Sequence, residues 1–196
     1  MELWRLSRTA TARRAYDWLA ARGVRVSTML LYAHEGAVPE REPPAGASIE
    51  PFAGDPAGLP ANLGADAAAS PREALSGLGS FDRGLIARVD GAYAGHVVVT
   101  DRPVEVEVLE TVLDEPGGYV HRLFVAPDHR GEGLARALVA AAVRVAREWD
   151  RARSWALIAP DNRPSRWTFE ACGFGPEERL DYVRLGPLRR RNRTRV

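Results

Sequence analysis

The stretch VAPDHRGEGLARALV, Val125 to Val139, sets the reading of the whole chain. An apolar run stops at Pro127. Arg130-Gly131-Glu132-Gly133 follows, and then apolar residues recur with helical spacing at Leu134, Leu138, Ala142, Val145 and Trp149. A strand that feeds a helix through glycines gathers several unpaired backbone N–H groups at one point. The helix dipole adds partial positive charge there. Glycine permits close backbone approach and unusual torsions. Arg130 adds a forked, charged donor suited to phosphate. The turn therefore reads as a phosphate cradle between a strand and a helix.

Two familiar cradles do not match. A P-loop needs a lysine, and all 27 basic residues of this chain are arginine. The dinucleotide fingerprint needs a third glycine where Arg136 stands, and its acidic partner, Asp150, falls at a helix end instead of on a strand. A third nucleotide-type cradle and a turn with no ligand are the readings left.

Before the turn, YVHRLFV reads as a strand, and SWALIA after the helix as a strand buried on both faces. GLIARV and AYAGHVVVT, joined at Asp90-Gly91, form a hairpin. PVEVEVLETVL alternates Val104, Val106 and Val108 against Glu105 and Glu107, then breaks at Leu109-Glu110, which suggests a bulge. SIEPF is a short strand, the Ala/Gly/Pro-rich segment 55–79 holds one or two short helices, and DYVRL is a last strand. Arg163 to Cys172 is a helix capped by Asp161 or Asn162 and stopped at Gly173. Upstream, Thr9 to Arg22 reads as a helix with Ala12, Ala15, Tyr16 and Leu19 on one face, followed by a strand, VRVSTMLLYA, and a linker with three prolines. The expected organisation is an N-terminal helix–strand extension and linker over 1–47, lying outside the main fold or packed onto it, one domain over 48–187 and an Arg-rich tail over 188–196. The element order implies an α/β (α+β) fold with a mixed sheet.

Length and charge bound the function. The 196 residues suit one core, and a net charge of +1 imposes no global field toward nucleic acid or membrane. A single cysteine, Cys172, excludes an internal disulfide and a cysteine-based zinc site; no metal is expected, and Cys172 reads as buried core. No apolar run approaches about 20 residues, and the N-terminus lacks a signal-peptide apolar region, so a cytoplasmic location with no membrane partner is expected. The arginines of the tail are expected to be solvated, with nucleic-acid contact the alternative.

Val125-x-Pro127-x-x-Arg130-Gly131-x-Gly133-x-Ala135 resembles the central motif of the GNAT superfamily of acetyl-CoA-dependent N-acetyltransferases. A second match follows the next strand at Asn162, Ser165, Phe169, Gly173 and Phe174, in the family's order and spacing. The resemblance covers about residues 48–187. It implies a mostly antiparallel sheet flanked by helices, with two central parallel strands, 119–125 and 154–159, that splay apart and admit a pantetheine arm. Leu123, Phe124, Val125, Arg130, Gly131, Glu132, Gly133, Leu134, Ala135, Asn162, Ser165 and Phe169 are the coenzyme-binding residues it implies. Homodimers are common in the family. The activity implied is transfer of acetyl from acetyl-CoA to a primary amine on a small molecule or a protein. The alternative is a catalytically silent acyl-CoA-binding or regulatory module.

Amine attack needs a neutral amine, and a lysine-like amine with a pKa of about 10.4 is neutral only about once in 2500 at pH 7, a cost of roughly 4.6 kcal/mol. His121 is the candidate base, because imidazole titrates near neutrality, so a rate limb near pH 6.5 is expected. A structural, hydrogen-bonded histidine is the competing reading. Many family members carry a glutamate one or two positions earlier; here that region is Tyr119-Val120, and Tyr119 joins His121 as a candidate catalytic residue. Glu105, Glu107 and Glu110 read as a solvated face, with substitution for the missing glutamate through water as the alternative. The family's usual tyrosine, which protonates the leaving thiolate, is Phe169 here, leaving Tyr182 or water for that role.

Overall fold

The computed structural model describes residues 23–61 and 70–196. The helix expected over Thr9 to Arg22, and part of the segment 55–79, lie outside the described residues. Strand β1 runs Val24–Glu35, β2 Ala47–Pro51, and a single 3₁₀ turn Pro56–Gly58 precedes the short helix α1, Pro71–Leu75. The hairpin β3, Asp82–Val89, and β4, Ala92–Thr100, turns at Asp90 (φ 49°) and Gly91 (φ 80°). Two left-handed residues in succession are what a tight hairpin turn requires.

Among the described residues, strands β5, Val104–Val106, and β6, Thr111–Leu113, pair only with each other. In place of the expected bulge, a 3₁₀ turn at Glu107–Leu109 and a left-handed Glu110 (φ 46°) fold the alternating stretch back on itself. β7, Gly118–Val125, leads through a 3₁₀ turn, Pro127–His129, into helix α2, Leu134–Glu148. β8, Arg153–Ile158, helix α3, Arg163–Glu170, and strands β9, Gly175–Leu185, and β10, Leu188–Arg195, complete the chain.

Among the described residues, eight strands form one sheet in the order β10-β9-β1-β8-β7-β4-β3-β2. All neighbours are antiparallel except β7 and β8. One face carries α2 and α3. Leu134, Leu138, Val139 and Ala142 of α2 interlock there with Val97, Val99 and Val120, each at most 1 % exposed. The opposite face is covered by the β5–β6 hairpin, over Leu31, Trp155 and Leu180, and by α1, over Ile86 and Val98.

Both segments that flank residues 48–187 contribute strands to the sheet. β1 is no extension: it lies inside the sheet, paired with β8 from Leu30 to Glu35 and with β9 from Val24 to Ala33. Leu31, Tyr32 and Ala33 are buried because a central strand has both faces covered. The Arg-rich segment is exposed along its length, as expected, but it is no free tail. It is edge strand β10, paired with β9 over Leu188 to Arg195. Its charges suit an edge, and they hold the β5–β6 hairpin down. Arg191 donates to the carbonyls of Leu109 and Glu110, and Arg193 pairs with Glu115 and Glu178. Glu110 also accepts from the Tyr182 hydroxyl at 2.6 Å and from Arg184 at 2.7 Å.

Candidate active site

The two parallel strands touch only at one end. β7 and β8 pair at Gly118–Ser154 and Tyr119–Trp155 and at no later residue. Beyond that, β7 stays with β4 as far as Val125 while β8 stays with β1 as far as Ile158. A wedge therefore opens toward their C-terminal ends. The cause lies in β7 itself. Arg122 has φ 52°, and two residues of β7, Arg122 and Leu123, stand between His121 and Phe124 where β4 has only Val97 between Val98 and His96. An extra residue bends a strand and adds twist. Backbone groups facing the wedge are left without a sheet partner, and such groups need one.

The turn after β7 closes the wedge. Gly131 (φ 86°) and Gly133 (φ 93°) are left-handed, and Gly133 caps α2 with no side-chain bond. The first helical hydrogen bond runs from Ala137 to Gly133, so the amides of Leu134, Ala135 and Arg136 point out of the helix end unpaired within it. A Cβ built on Gly131 meets no atom within 4 Å. Room for an anion and donors to hold it thus stand together. Arg130 folds back, its Nε donating to the Val125 carbonyl at 3.1 Å, and Glu132 is exposed. Asn162 caps α3 by accepting from the Ser165 amide at 3.4 Å. Phe169 is a core residue, 3 % exposed and edge-on to Phe174. Cys172 is buried, which pushes its thiol up to about 11, so it is no ready nucleophile.

On the opposite face, β4 and β7 present two facing rows. His96, Val98 and Thr100 stand across from Phe124, His121 and Tyr119. Tyr119 stacks on His121 at 4.6 Å and on Trp155 at 4.2 Å, and its burial pushes the phenol up to about 12. The His121 Nε2 lies 2.8 Å from the Thr100 hydroxyl, which donates to Asp82 Oδ1 at 2.6 Å. Burial, and then the nearby Arg122 guanidinium, lower the His121 pKa to about 3. The shift is downward from the ordinary value near 6.5, which keeps this imidazole neutral near pH 7 and only weakly basic. His96 is a second buried histidine, lowered to about 4 by burial and Arg122. Its Nδ1 meets the Tyr93 hydroxyl at 2.5 Å and its ring stacks on Phe124. Arg122 donates to the Ala74 carbonyl at the end of α1, roofing this row.

Asp82, Thr100, Tyr93, His96 and Arg122 are residues that pattern reading missed. Tyr182 is engaged with Glu110 and so is not a free acid. Glu110 is held by Tyr182, Arg184, Arg189 and Arg25, away from any role as a water-borne base.

The chain belongs to the acetyltransferase (GNAT) family, whose sequence profile matches residues 64–174. Its fold is similar to that of a putative GNAT acetyltransferase from Novosphingobium aromaticivorans, with 18 % identity over 84 % of this chain and 67 % of that one and a TM-score of 0.57. A GCN5-related N-acetyltransferase from Kribbella flavida matches 95 % of this chain and 76 % of its own, at 18 % identity and a TM-score of 0.56. A tandem GNAT protein from the clavulanic acid biosynthesis pathway matches at 21 % identity and a TM-score of 0.57, and this chain spans only 58 % of its length. Likeness at these identities is a likeness of fold. No curated protein gives a significant match. Among the described residues, no helix is long and apolar enough to cross a membrane, and no cluster of three or more metal-ligating side chains is found.

Proposed function

We propose that the protein transfers acetyl from acetyl-CoA to a primary amine. The observation that carries this reading is the opened β7–β8 pair ending at the Gly131–Gly133 turn. Unpaired strand backbone, free helix amides and a vacant Cβ direction converge there, as a diphosphate with a long amide-bearing arm requires. Leu123, Phe124 and Val125 would hold the arm through backbone groups. The turn from Arg130 to Ala135 would hold the diphosphate, with Asn162 and Ser165 at the start of α3 on the far wall. Acetyl-CoA, when bound, supplies an acyl group activated as a thioester.

The chain's own residues then need to orient the amine and exclude water. A neutral His121, stacked on Tyr119, accepts a hydrogen bond from the amine and aims it. It does not carry a large share of the proton cost, because a base with a pKa of about 3 is far weaker than the amine itself. A silent acyl-CoA-binding module is the second reading. Phe169, which offers no hydroxyl, and the weakly basic His121 favour it. A thiol-release assay with acetyl-CoA decides. The probes are a polyamine, an amino sugar, a lysine-bearing peptide and free amino acids. Amine-dependent release supports the enzyme; coenzyme binding with no release for any probe supports the silent module.

A further inference from the structure

Three adjacent strands place Asp82, Thr100 and His121 in one line. Asp82 on β3 stands opposite Thr100 on β4, which stands opposite Tyr119 on β7, with His121 two residues along. The Asp82 side chain is 4 % exposed and Thr100 is 2 % exposed. Asp82 Oδ2 receives the Gly79 amide at 2.9 Å and Arg102 at 3.3 Å. Burial pushes this carboxyl up, but the bonds from Thr100, Gly79 and Arg102 outweigh that, so it stays below its usual value and is ionised near neutrality. An ionised carboxylate only accepts, so the single Thr100 proton goes to Oδ1. The Thr100 oxygen then faces Nε2 with a lone pair, and Nε2 must carry the imidazole hydrogen. Nδ1 becomes the ring's one acceptor, and it has no hydrogen-bond partner among the described residues.

We propose that Asp82 and Thr100 are positioning residues: through a hydroxyl-bridged relay they lock His121 in the Nε2–H tautomer and so present its Nδ1 lone pair to the attacking amine. A carboxylate reading a histidine directly would fix the same tautomer. Here the hydroxyl spans the gap between strands, because Asp82 sits two strands away from β7. Arg102, outside the carboxylate, keeps Asp82 charged without touching the ring. Arg122 and Tyr119 flank His121 from its own strand. A histidine filling space in a core needs no such chain, and either tautomer would serve it.

The proposal rests on the reading of His121 at the reacting centre, and two readouts keep them apart. The first is the tautomer of His121 from long-range ¹H–¹⁵N spectra of the unmodified protein near pH 7, assigned by the signal lost in His121→Asn. A single Nε2–H tautomer is expected. Thr100→Val, close to isosteric, is expected to give a mixed tautomer, and Thr100→Ser to restore the single one. The second is turnover with the best amine probe. Thr100→Val should lose about tenfold or more in kcat, as expected when a hydrogen bond that orients the amine is lost, with the Kd for acetyl-CoA unchanged, while Thr100→Ser stays within about threefold of wild type. An Nδ1–H tautomer in wild type overturns the proposal and needs no variant to fold. So does Thr100→Val with an unchanged tautomer, or with unchanged kcat. Failure of the underlying reading shows differently: His121→Ala would keep wild-type kcat although the wild-type tautomer is Nε2–H, and the proposal then falls with it.

Discussion

His121 and His96 sit in the same two-strand row, and each is pushed toward the neutral form by burial first and by Arg122 second. Their folded pKa values, about 3 and about 4, lie below the unfolded value near 6.5. The unfolded chain therefore binds protons that the folded one refuses. Stability from these two groups is complete above pH 6.5 and is lost as pH falls toward their folded values. Near pH 5 unfolding should take up about two protons through them, each worth about 1.4 kcal/mol per pH unit in the slope of stability. Urea unfolding from pH 4.5 to 7.5 measures that slope, and His121→Asn should remove about one proton from it. A slope untouched by the substitution means that the ring is already charged when folded. The same neutrality sets the rate profile. With His121 unable to titrate near 6.5, kcat/KM should climb with the acceptor amine's own ionisation, close to tenfold per pH unit from about pH 6 to 8 for a lysine-like amine. A plateau reached just above pH 6.5 would return the base role to an imidazole.

At the scale of elements, local signals and distant partners part company. The glycine turn from Arg130 to Gly133 was legible because everything it needs lies within a few residues: the strand end, two left-handed positions and the first turn of α2. The β3–β4 hairpin was legible for the same reason, through Asp90-Gly91. β1 was read as a strand, but no local pattern names a strand's partners, and its neighbours β8 and β9 lie more than a hundred residues away. β10 was missed because LRRRNRTR has no apolar face to bury; its stability comes from a ladder with β9 and from guanidinium bonds to the β5–β6 hairpin. The Asp82–Thr100–His121 chain was invisible for a related reason, being made by cross-strand register and not by spacing. A graded stability test fits β1. Leu31, fully buried between β8 and β9, should cost about 2–5 kcal/mol as Leu31→Ala. Val26, 57 % exposed on the same strand, should cost within about 0.5 kcal/mol as Val26→Ala. Denaturant midpoints at constant m-value separate the two, and equal small losses would put β1 outside the core.

For the whole molecule, the sheet works as a frame that is held shut everywhere except at one seam. β1 locks β8 to β9 on one side, and β4 holds β7 on the other, so the bulge at Arg122 has nowhere to relax except by opening β7 from β8. α2 packs across β7, β4 and β3 and aims its unpaired amides at the mouth of that opening. A ligand that fills the seam joins both halves of the sheet, and because it binds only the folded chain it raises stability by mass action. Acetyl-CoA at a hundred times its Kd should add about 2.7 kcal/mol, which for a chain of this size is a rise in Tm of roughly 5–10 °C. Gly131→Val should remove most of that rise for two separable reasons. A β-branched residue is strained at φ 86°, which lowers the Tm of the free protein, and its side chain fills the open direction in front of the helix amides, which blocks the diphosphate. Gly91→Val is the control, since it carries the strain alone, at φ 80° in the β3–β4 turn. Both variants should melt lower than wild type, but only Gly91→Val should keep the full shift with acetyl-CoA. Equal shifts in all three proteins would mean that the coenzyme is held somewhere other than this turn.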